Sequence, residues 1–124
     1  MEERIIINDY LENDPLSDNN LHKTLDLVNE FRLSIPSKSI WLYSGYKWEH
    51  IFDPKWHYHP KTQEKLSIGR WRRQKIVSQC NVFIDGEFID SQQNLFLTWK
   101  GSKTKNVIYV QKSLSQSKIY LYCD

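Results

Sequence analysis

The sequence of 124 residues predicts an α/β fold with a small, partly parallel sheet and two main helices. Apolar residues recur at helical spacing from Leu21 to Ile35, and a second helical pattern covers residues 62–80. Short apolar runs typical of buried strands follow these helices at residues 39–44 and 81–85. Because strands and helices alternate along the chain, neighbouring strands are expected to run parallel.

The first part of the chain has recognisable element boundaries. The run RIIIND at residues 4–9 is a short strand or the end of a helix, since its length cannot separate the two. Ser17 or Asp18 can cap the first main helix, and Pro36 ends it. The stretch YKWEHIFDP, after the strand at residues 39–44, is compatible with one more helical turn.

The sequence signals for helices and strands are weaker in the second half of the chain. Gly69 weakens the second main helix by about 1 kcal/mol. The Asp85-Gly86 pair predicts a tight turn. Towards the C-terminus LFLTW and KIYLY are expected to be strands, whereas VIYVQKSL is ambiguous.

Length and composition limit the class of protein. The chain predicts one domain spanning residues 1–124, and 40% apolar with 14% aromatic residues is enough for one modest core. No apolar run approaches the ~20 residues that span a bilayer. The acidic N-terminus is not typical of a signal peptide. We therefore expect a cytoplasmic protein without membrane contact, in which Cys80 and Cys123 are reduced.

The charge of +2 is unevenly distributed. Residues 1–30 hold eight acids and two bases, whereas residues 91–123 hold five lysines and no acid. Such a pattern can steer encounters with an acidic partner, either a protein or a nucleic acid. A solvated lysine-rich face is the alternative interpretation.

The densest basic cluster is GRWRRQK at residues 69–75. Arginine interleaved with tryptophan suits phosphate contact and stacking, and both residue types are enriched at protein-binding hot spots. Arg73 lies near the apolar face of the predicted helix, so it is expected to snorkel or to pair with a carboxylate. A solvated helix face remains the alternative. The partner-binding candidates are Arg70, Trp71, Arg72, Arg73, Lys100, Lys103 and Lys105.

No pattern for catalysis or metal binding stands out. Zinc prefers four tetrahedral donors, and the candidate donors are His50, His57, His59 and Cys80. The prolines around KWHYHP favour instead a surface loop with aromatic anchors. Ser44 and Ser102 have no evident base, and the carboxylates of DGEFID fit a turn and a strand edge. We therefore expect no catalytic residues and no metal.

Three blocks occur in one order and resemble the family of anaerobic ribonucleotide reductase activating proteins. They are IWLYSGYKWEHIF (40–52), NVFIDGEFI (81–89) and LTWKGSKTKNVIYVQKSL (97–114). The resemblance implies a radical S-adenosylmethionine activase with a partial-barrel fold, which places a glycyl radical on the large reductase. It also implies a [4Fe–4S] cluster held by a CxxxCxxC loop. The expected fold is thus an incomplete remnant of that barrel.

The chain departs from the family where the cofactors bind. It has no CxxxCxxC loop, and Glu12-Asn13-Asp14-Pro15 stands where the family has Gly-Gly-Asp/Glu-Pro against the methionyl amine. In the late block the polar positions Thr104, Lys105, Asn106 and Tyr109 differ, whereas Val107, Ile108 and Val110 still suit core packing. We therefore interpret residues 1–16 as a divergent segment and 17–124 as an activase-like remnant without cofactor or enzymatic activity.

These observations predict a non-catalytic binding protein. Its most concrete form is an inhibitor, carried by a phage or mobile element, of a host defence nuclease such as a CRISPR effector. The alternatives are a docking or regulatory fragment that binds the anaerobic reductase, and a nucleic-acid-binding module. A gene remnant and one half of a split activase remain open. Because the reduced barrel leaves a strand edge, either RIIIND or a second copy of the chain should cover it, and a homodimer is thus one of the two expected arrangements.

Overall fold

A four-stranded mixed sheet organises the protein. The computed structural model describes residues 4–8, 14–60, 63, 65–85 and 106–121. The strands lie across the sheet in chain order, namely β1 (Arg4–Ile7), β2 (Ser39–Tyr43), β3 (Val82–Asp85) and β4 (Asn106–Tyr109). β1, β2 and β3 run parallel, and β4 is antiparallel to β3. The predicted α/β class with a small, partly parallel sheet is confirmed.

Helices lie between β1 and β2, between β2 and β3, and after β4. They are α1 (Leu21–Ser34), α2 (Trp48–Phe52), α3 (Leu66–Ser78) and α4 (Val110–Gln116), and a 3-10 turn at Asp18–Asn20 precedes α1. α1 and α3 are the two main helices that the apolar spacing predicted, and they pack against each other. Within the described ranges, no helix is both long enough and apolar enough to cross a membrane.

The ambiguous RIIIND segment supplies a strand. Ile5 pairs with Ile40 and Ile6 with Trp41, so β1 extends the sheet beside β2. The N-terminal segment therefore covers the edge of β2, which is one of the two expected solutions. Ile7 and Leu16 are buried in the main core, so the described residues on both sides of positions 9–13 pack with the rest of the fold. The homodimer stays a prediction.

Alternation along the strands places apolar side chains on both faces of the sheet. One face, which includes Ile40 and Phe83, joins residues of α1 and α3 in the main core. The other face carries a smaller buried cluster made of Trp41, Val82, Ile84 and Val107. Ile108 and Val110 are fully buried as well, which confirms the packing role expected for the apolar positions of the late block.

The C-terminal elements differ in part from the expectation. VIYVQKSL divides between Tyr109 and Val110, where β4 ends and α4 begins. Among the described residues 118–121 of the predicted strand KIYLY, only Leu121 makes a bridge, to Ile108, and the Tyr120 carbonyl accepts a hydrogen bond from the Tyr109 amide at 2.8 Å. LFLTW and the rest of the DGEF turn lie outside the described residues.

Two details of the helices correct the sequence interpretation. Neither Ser17 nor Asp18 caps α1 with its side chain, because the Asp18 carboxylate pairs with Arg73 at 2.6 Å. Gly69, which weakens α3 as a helix former, is required by packing. A Cβ at this position would lie 2.5 Å from Leu21 Cδ1 and 2.9 Å from Arg73 Nη1, so the absence of a side chain allows α1 and α3 to approach.

Candidate functional site

The carboxyl ends of the parallel strands meet at one edge of the sheet, where α/β proteins commonly bind ligands. Asp14 lies there, just after the end of β1 in sequence. Its Oδ1 accepts hydrogen bonds from the Leu16 amide and the Ser44 hydroxyl, both at 2.8 Å. Its Oδ2 accepts the Gly45 amide. The carboxylate is therefore used inside the chain, where it joins the segment before α1 to the end of β2.

Asp85 closes the same edge at the end of β3. Its carboxylate is buried and accepts the Trp48 amide at 2.9 Å and the Asn106 amide at 3.3 Å. Burial raises the pKa of Asp85, and these hydrogen bonds oppose that rise. The residue ties β3 to the first turn of α2 and to β4. It is a buried anchor, whereas the sequence suggested a turn at a strand edge; Glu87 and Asp90 lie outside the described residues.

Two of the histidines considered for zinc form a buried ring cluster. The His50 and His59 rings are 5.1 Å apart, and each has an aromatic neighbour at 4.7 Å, Trp56 for His50 and Tyr46 for His59. His57 points into solvent. Cys80 is fully buried in the main core, where its Sγ donates to the Ile76 carbonyl.

The four zinc candidates are consequently not assembled as a site. Among the described residues, no group of three or more His, Cys, Asp and Glu side chains could hold a metal ion. The KWHYHP segment instead has exposed His57, Tyr58 and Pro60, with His59 inserted into the core. This arrangement matches the surface loop with aromatic anchors that the prolines favoured.

His50 makes the stability of the protein sensitive to pH. The Lys47 amide at the start of α2 donates to His50 Nδ1 at 3.1 Å, so this nitrogen must be unprotonated. Burial, followed by the nearby His59 and Lys47 charges, lowers the pKa of His50 from 6.5 to about 4. Between these values the unfolded state binds a proton that the folded state rejects, so stability is complete above the unfolded pKa and decreases as the pH falls towards 4.

We expect His50 to lower the free energy of unfolding by at most about 2 kcal/mol between about pH 7 and about pH 5, because solvent screening reduces the full effect of the pKa shift. Urea unfolding at about pH 7 and about pH 5 measures the loss. His50→Gln is the matched control, because glutamine can accept the Lys47 amide without titrating. Asp85, whose raised pKa acts in the opposite direction, is common to both proteins. An equal loss in His50→Gln would show that His50 is not the cause.

The predicted Arg70–Arg73 cluster divides between interior and surface. Arg73 is 0% exposed, and its guanidinium contacts the Asp18 carboxylate, the Leu16 carbonyl and the Tyr46 ring. The expected pairing with a carboxylate is confirmed, and this burial removes Arg73 from any partner surface. Arg70 is half-buried and donates to the Trp56 carbonyl. Trp71 and Arg72 remain exposed, whereas Lys100, Lys103 and Lys105 lie outside the described residues.

A groove of about 530 Å³ lies between α2 and the C-terminal end of α4. Trp48, Phe52, Leu114 and Ile119 form its apolar part, with Glu49 and Lys118 among its polar residues. No sequence pattern indicated this groove, because α2 and α4 are distant in the chain. The Asp14 contacts were also not predicted, although an aspartate before a proline is a typical signal for a side chain that bonds the backbone two residues on.

The sequence of this α/β protein is similar to that of known proteins. The sequence model of the 4Fe-4S single cluster domain matches residues 11–108, which is most of the chain. The chain therefore belongs to the 4Fe-4S single cluster domain family.

Within this family the chain is similar to anaerobic ribonucleoside-triphosphate reductase-activating proteins. It is 26% identical to that of Escherichia coli K12 over 98 residues, which are 79% of this chain and 52% of the relative. It is 29% identical to those of Vibrio cholerae and Haemophilus influenzae over 89 residues, 72% of this chain and 46% of each relative. These matches confirm the resemblance, and the chain spans about half the length of these curated relatives. No solved structure matches the chain at a significant level.

The residues of this chain do not fit the cluster after which the family is named. Such clusters are held by three or four Cys thiolates, and the 124 residues contain two cysteines, of which only Cys80 lies in the matched range. Burial raises the pKa of Cys80 to about 12, so its sulfur is a protonated thiol. Cys123 lies outside the described residues. The donor set therefore falls short of a cluster site.

Proposed function

We propose that this chain is a non-catalytic binding protein that keeps the scaffold of a reductase-activating protein. The observation that carries the proposal is the thiol set, because two cysteines, one of them buried and protonated, cannot supply three thiolate ligands. The contacts of Asp14 also support the proposal. This residue stands where the family has the acid of its Gly-Gly-Asp/Glu-Pro turn, and its carboxylate already accepts hydrogen bonds from the Leu16 amide, the Ser44 hydroxyl and the Gly45 amide.

Anaerobic reconstitution with iron and sulfide tests the lack of a cluster. We expect the purified chain to retain no iron after gel filtration and to show no visible charge-transfer absorption. The Escherichia coli activating protein, treated in parallel, is the positive control. Retained iron that disappears in Cys80→Ser would contradict the proposal, since it would place a cluster on the buried thiol.

The proposed partner is the anaerobic ribonucleoside-triphosphate reductase. The relatives are named for activating this enzyme, and the chain matches about half of their length. All three sequence blocks that carry the resemblance contribute to described elements, namely β2 and α2, then β3, then β4 and α4. A scaffold kept without its catalyst retains surfaces, so a docking or regulatory fragment is the role that these similarities support best.

The tagged chain should retain purified anaerobic reductase on an affinity resin. In excess, it should also slow activation of the reductase by a full-length activating protein. A CRISPR nuclease in the same experiment tests the inhibitor predicted from sequence. Capture of the nuclease with loss of its cleavage, and without capture of the reductase, would replace the docking role by inhibition of a defence enzyme.

We also propose that the sheet is a remnant of the radical-enzyme barrel. Three consecutive parallel strands, β1 to β3, joined through helical segments, are what an incomplete barrel of this type would keep. The antiparallel β4 then ends the parallel series. A crystal structure superimposed on a full-length activating protein tests this proposal, and strands that align in a different order would contradict it.

A further inference from the structure

The outer face of α3 combines exposed apolar and basic side chains. Ile68 is 69% exposed and Trp71 is 65% exposed, although α3 already buries another face in the core. Lys65, Arg72 and Lys75 are exposed and recur with them at spacings of three and four residues, so all five lie along one stripe. We call Lys65, Ile68, Trp71, Arg72 and Lys75 the α3 stripe.

The fold separates this stripe from the rest of the basic cluster. Arg73 is buried against Asp18, and Arg70 is turned towards the Trp56 carbonyl. The stripe therefore keeps three cations, and the sequence of α3 contains no acid that could neutralise them. Lys75 Nζ lies 5.6 Å from the centre of the Trp71 ring, which places a cation beside the exposed indole.

We propose that the α3 stripe binds an acidic amphipathic segment of a partner protein. Covering Ile68 and Trp71 requires apolar side chains from the partner, and three cations around them require carboxylates. An amphipathic helix or strand with acidic flanks supplies both. This inference rests on the proposed role as a binding protein, and it does not depend on the reductase being the partner.

A protein partner fits the stripe better than a nucleic acid. A phosphate backbone makes use of Lys65, Arg72 and Lys75 but offers little to the exposed aliphatic side chain of Ile68. The Lys75 ammonium lies over one face of the Trp71 ring, so a base can stack only on the other face. Trp and Arg at the centre of such a patch are the residue types that dominate protein-binding energy.

A displayed library of random peptides, selected on the immobilised full chain, tests this inference. We expect enriched peptides to combine Asp or Glu with large apolar residues. Trp71→Ala and Arg72→Glu should each weaken their binding by at least about tenfold. Leu33→Ala, at a side chain 81% exposed on α1, and Lys112→Glu on α4 are the matched controls and should bind as the wild type does.

Three results would overturn the inference. The first is that the library yields no enriched peptide, and the second is that enriched peptides bind Trp71→Ala as well as they bind the wild type. The third is that the stripe binds single-stranded or duplex DNA with an affinity that Trp71→Ala abolishes. None of these depends on the reductase or on iron. Failure of the α3 stripe is therefore distinguishable from failure of the proposed function.

Discussion

Replacing Arg73 by methionine should destabilise the protein by about 3–5 kcal/mol, which is a large part of the 5–15 kcal/mol typical of a domain. The guanidinium satisfies the Leu16 carbonyl at 2.9 Å and the Leu66 carbonyl at 3.3 Å, and it pairs with Asp18 at 2.6 Å. Methionine fills a similar volume but donates no hydrogen bond. The variant leaves the Leu16 carbonyl and the Asp18 carboxylate without this donor, and a buried carbonyl that loses its partner costs about 1–3 kcal/mol.

Urea unfolding followed by tryptophan fluorescence measures the effect of Arg73→Met. Arg72→Met is the matched control, because Arg72 is exposed one position away, and its change should stay within about 0.5 kcal/mol. Asp18→Asn should cost less than Arg73→Met, because the guanidinium keeps its bonds to the Leu16 and Leu66 carbonyls and an asparagine oxygen can still accept from Arg73 Nη2. Equal stability of Arg73→Met and Arg72→Met would refute the structural role.

The second large effect is expected at Asp14. Asp14→Ala should lower the unfolding free energy by about 2–4 kcal/mol, because it removes the acceptor of the Leu16 amide, the Ser44 hydroxyl and the Gly45 amide together. Hydrogen bonds to a charged group are each stronger than neutral ones, although losses within one cluster do not simply add.

The chain contains a natural control for Asp14. Asp53-Pro54-Lys55 repeats the Asp-Pro pattern, and Asp53 Oδ1 accepts the Lys55 amide at 3.0 Å in an exposed turn. Asp53→Ala removes one local bond of the same kind, so it should cost no more than about 1 kcal/mol. The difference between the two variants in urea unfolding isolates the contacts to Ser44 and Gly45. Similar losses in both would mean that those contacts add nothing.

Local patterns predicted those elements whose structure depends on neighbouring residues. The apolar spacing from Leu21 to Ile35 gave α1, and the run at residues 39–44 gave β2, because both patterns reflect burial against a single core. RIIIND stayed ambiguous since a run of six residues is too short to distinguish the two periods, and its pairing with β2 makes it a strand. VIYVQKSL contains a strand and a helix without a Gly or Pro between them, so its division could not be predicted.

The candidate site depended more on distant contacts than on local patterns. The position of Arg73 on the helical wheel indicated a carboxylate partner, yet Asp18 lies 55 positions away and could not be identified. Arg70, Trp71 and Arg72 were predicted together as partner-binding residues, and the packing of α3 against α1 and the 53–60 loop separates them. Asp14 was interpreted through a family motif, whereas its contacts with Ser44 and Gly45 cross 30 and 31 positions.

The order of the strands also determines how the chain must fold. Ile5 pairs with Ile40, and Leu42 pairs with Phe83, so the parallel sheet forms only after long loops have closed. Such high contact order slows folding, and unpaired strand edges favour aggregation in the meantime. On the ribosome, β1 and β2 emerge well before β3, which leaves the hydrogen-bonding edge of β2 open. The risk of aggregation through the open edge of β2 is therefore greatest during synthesis, before β3 has joined the sheet.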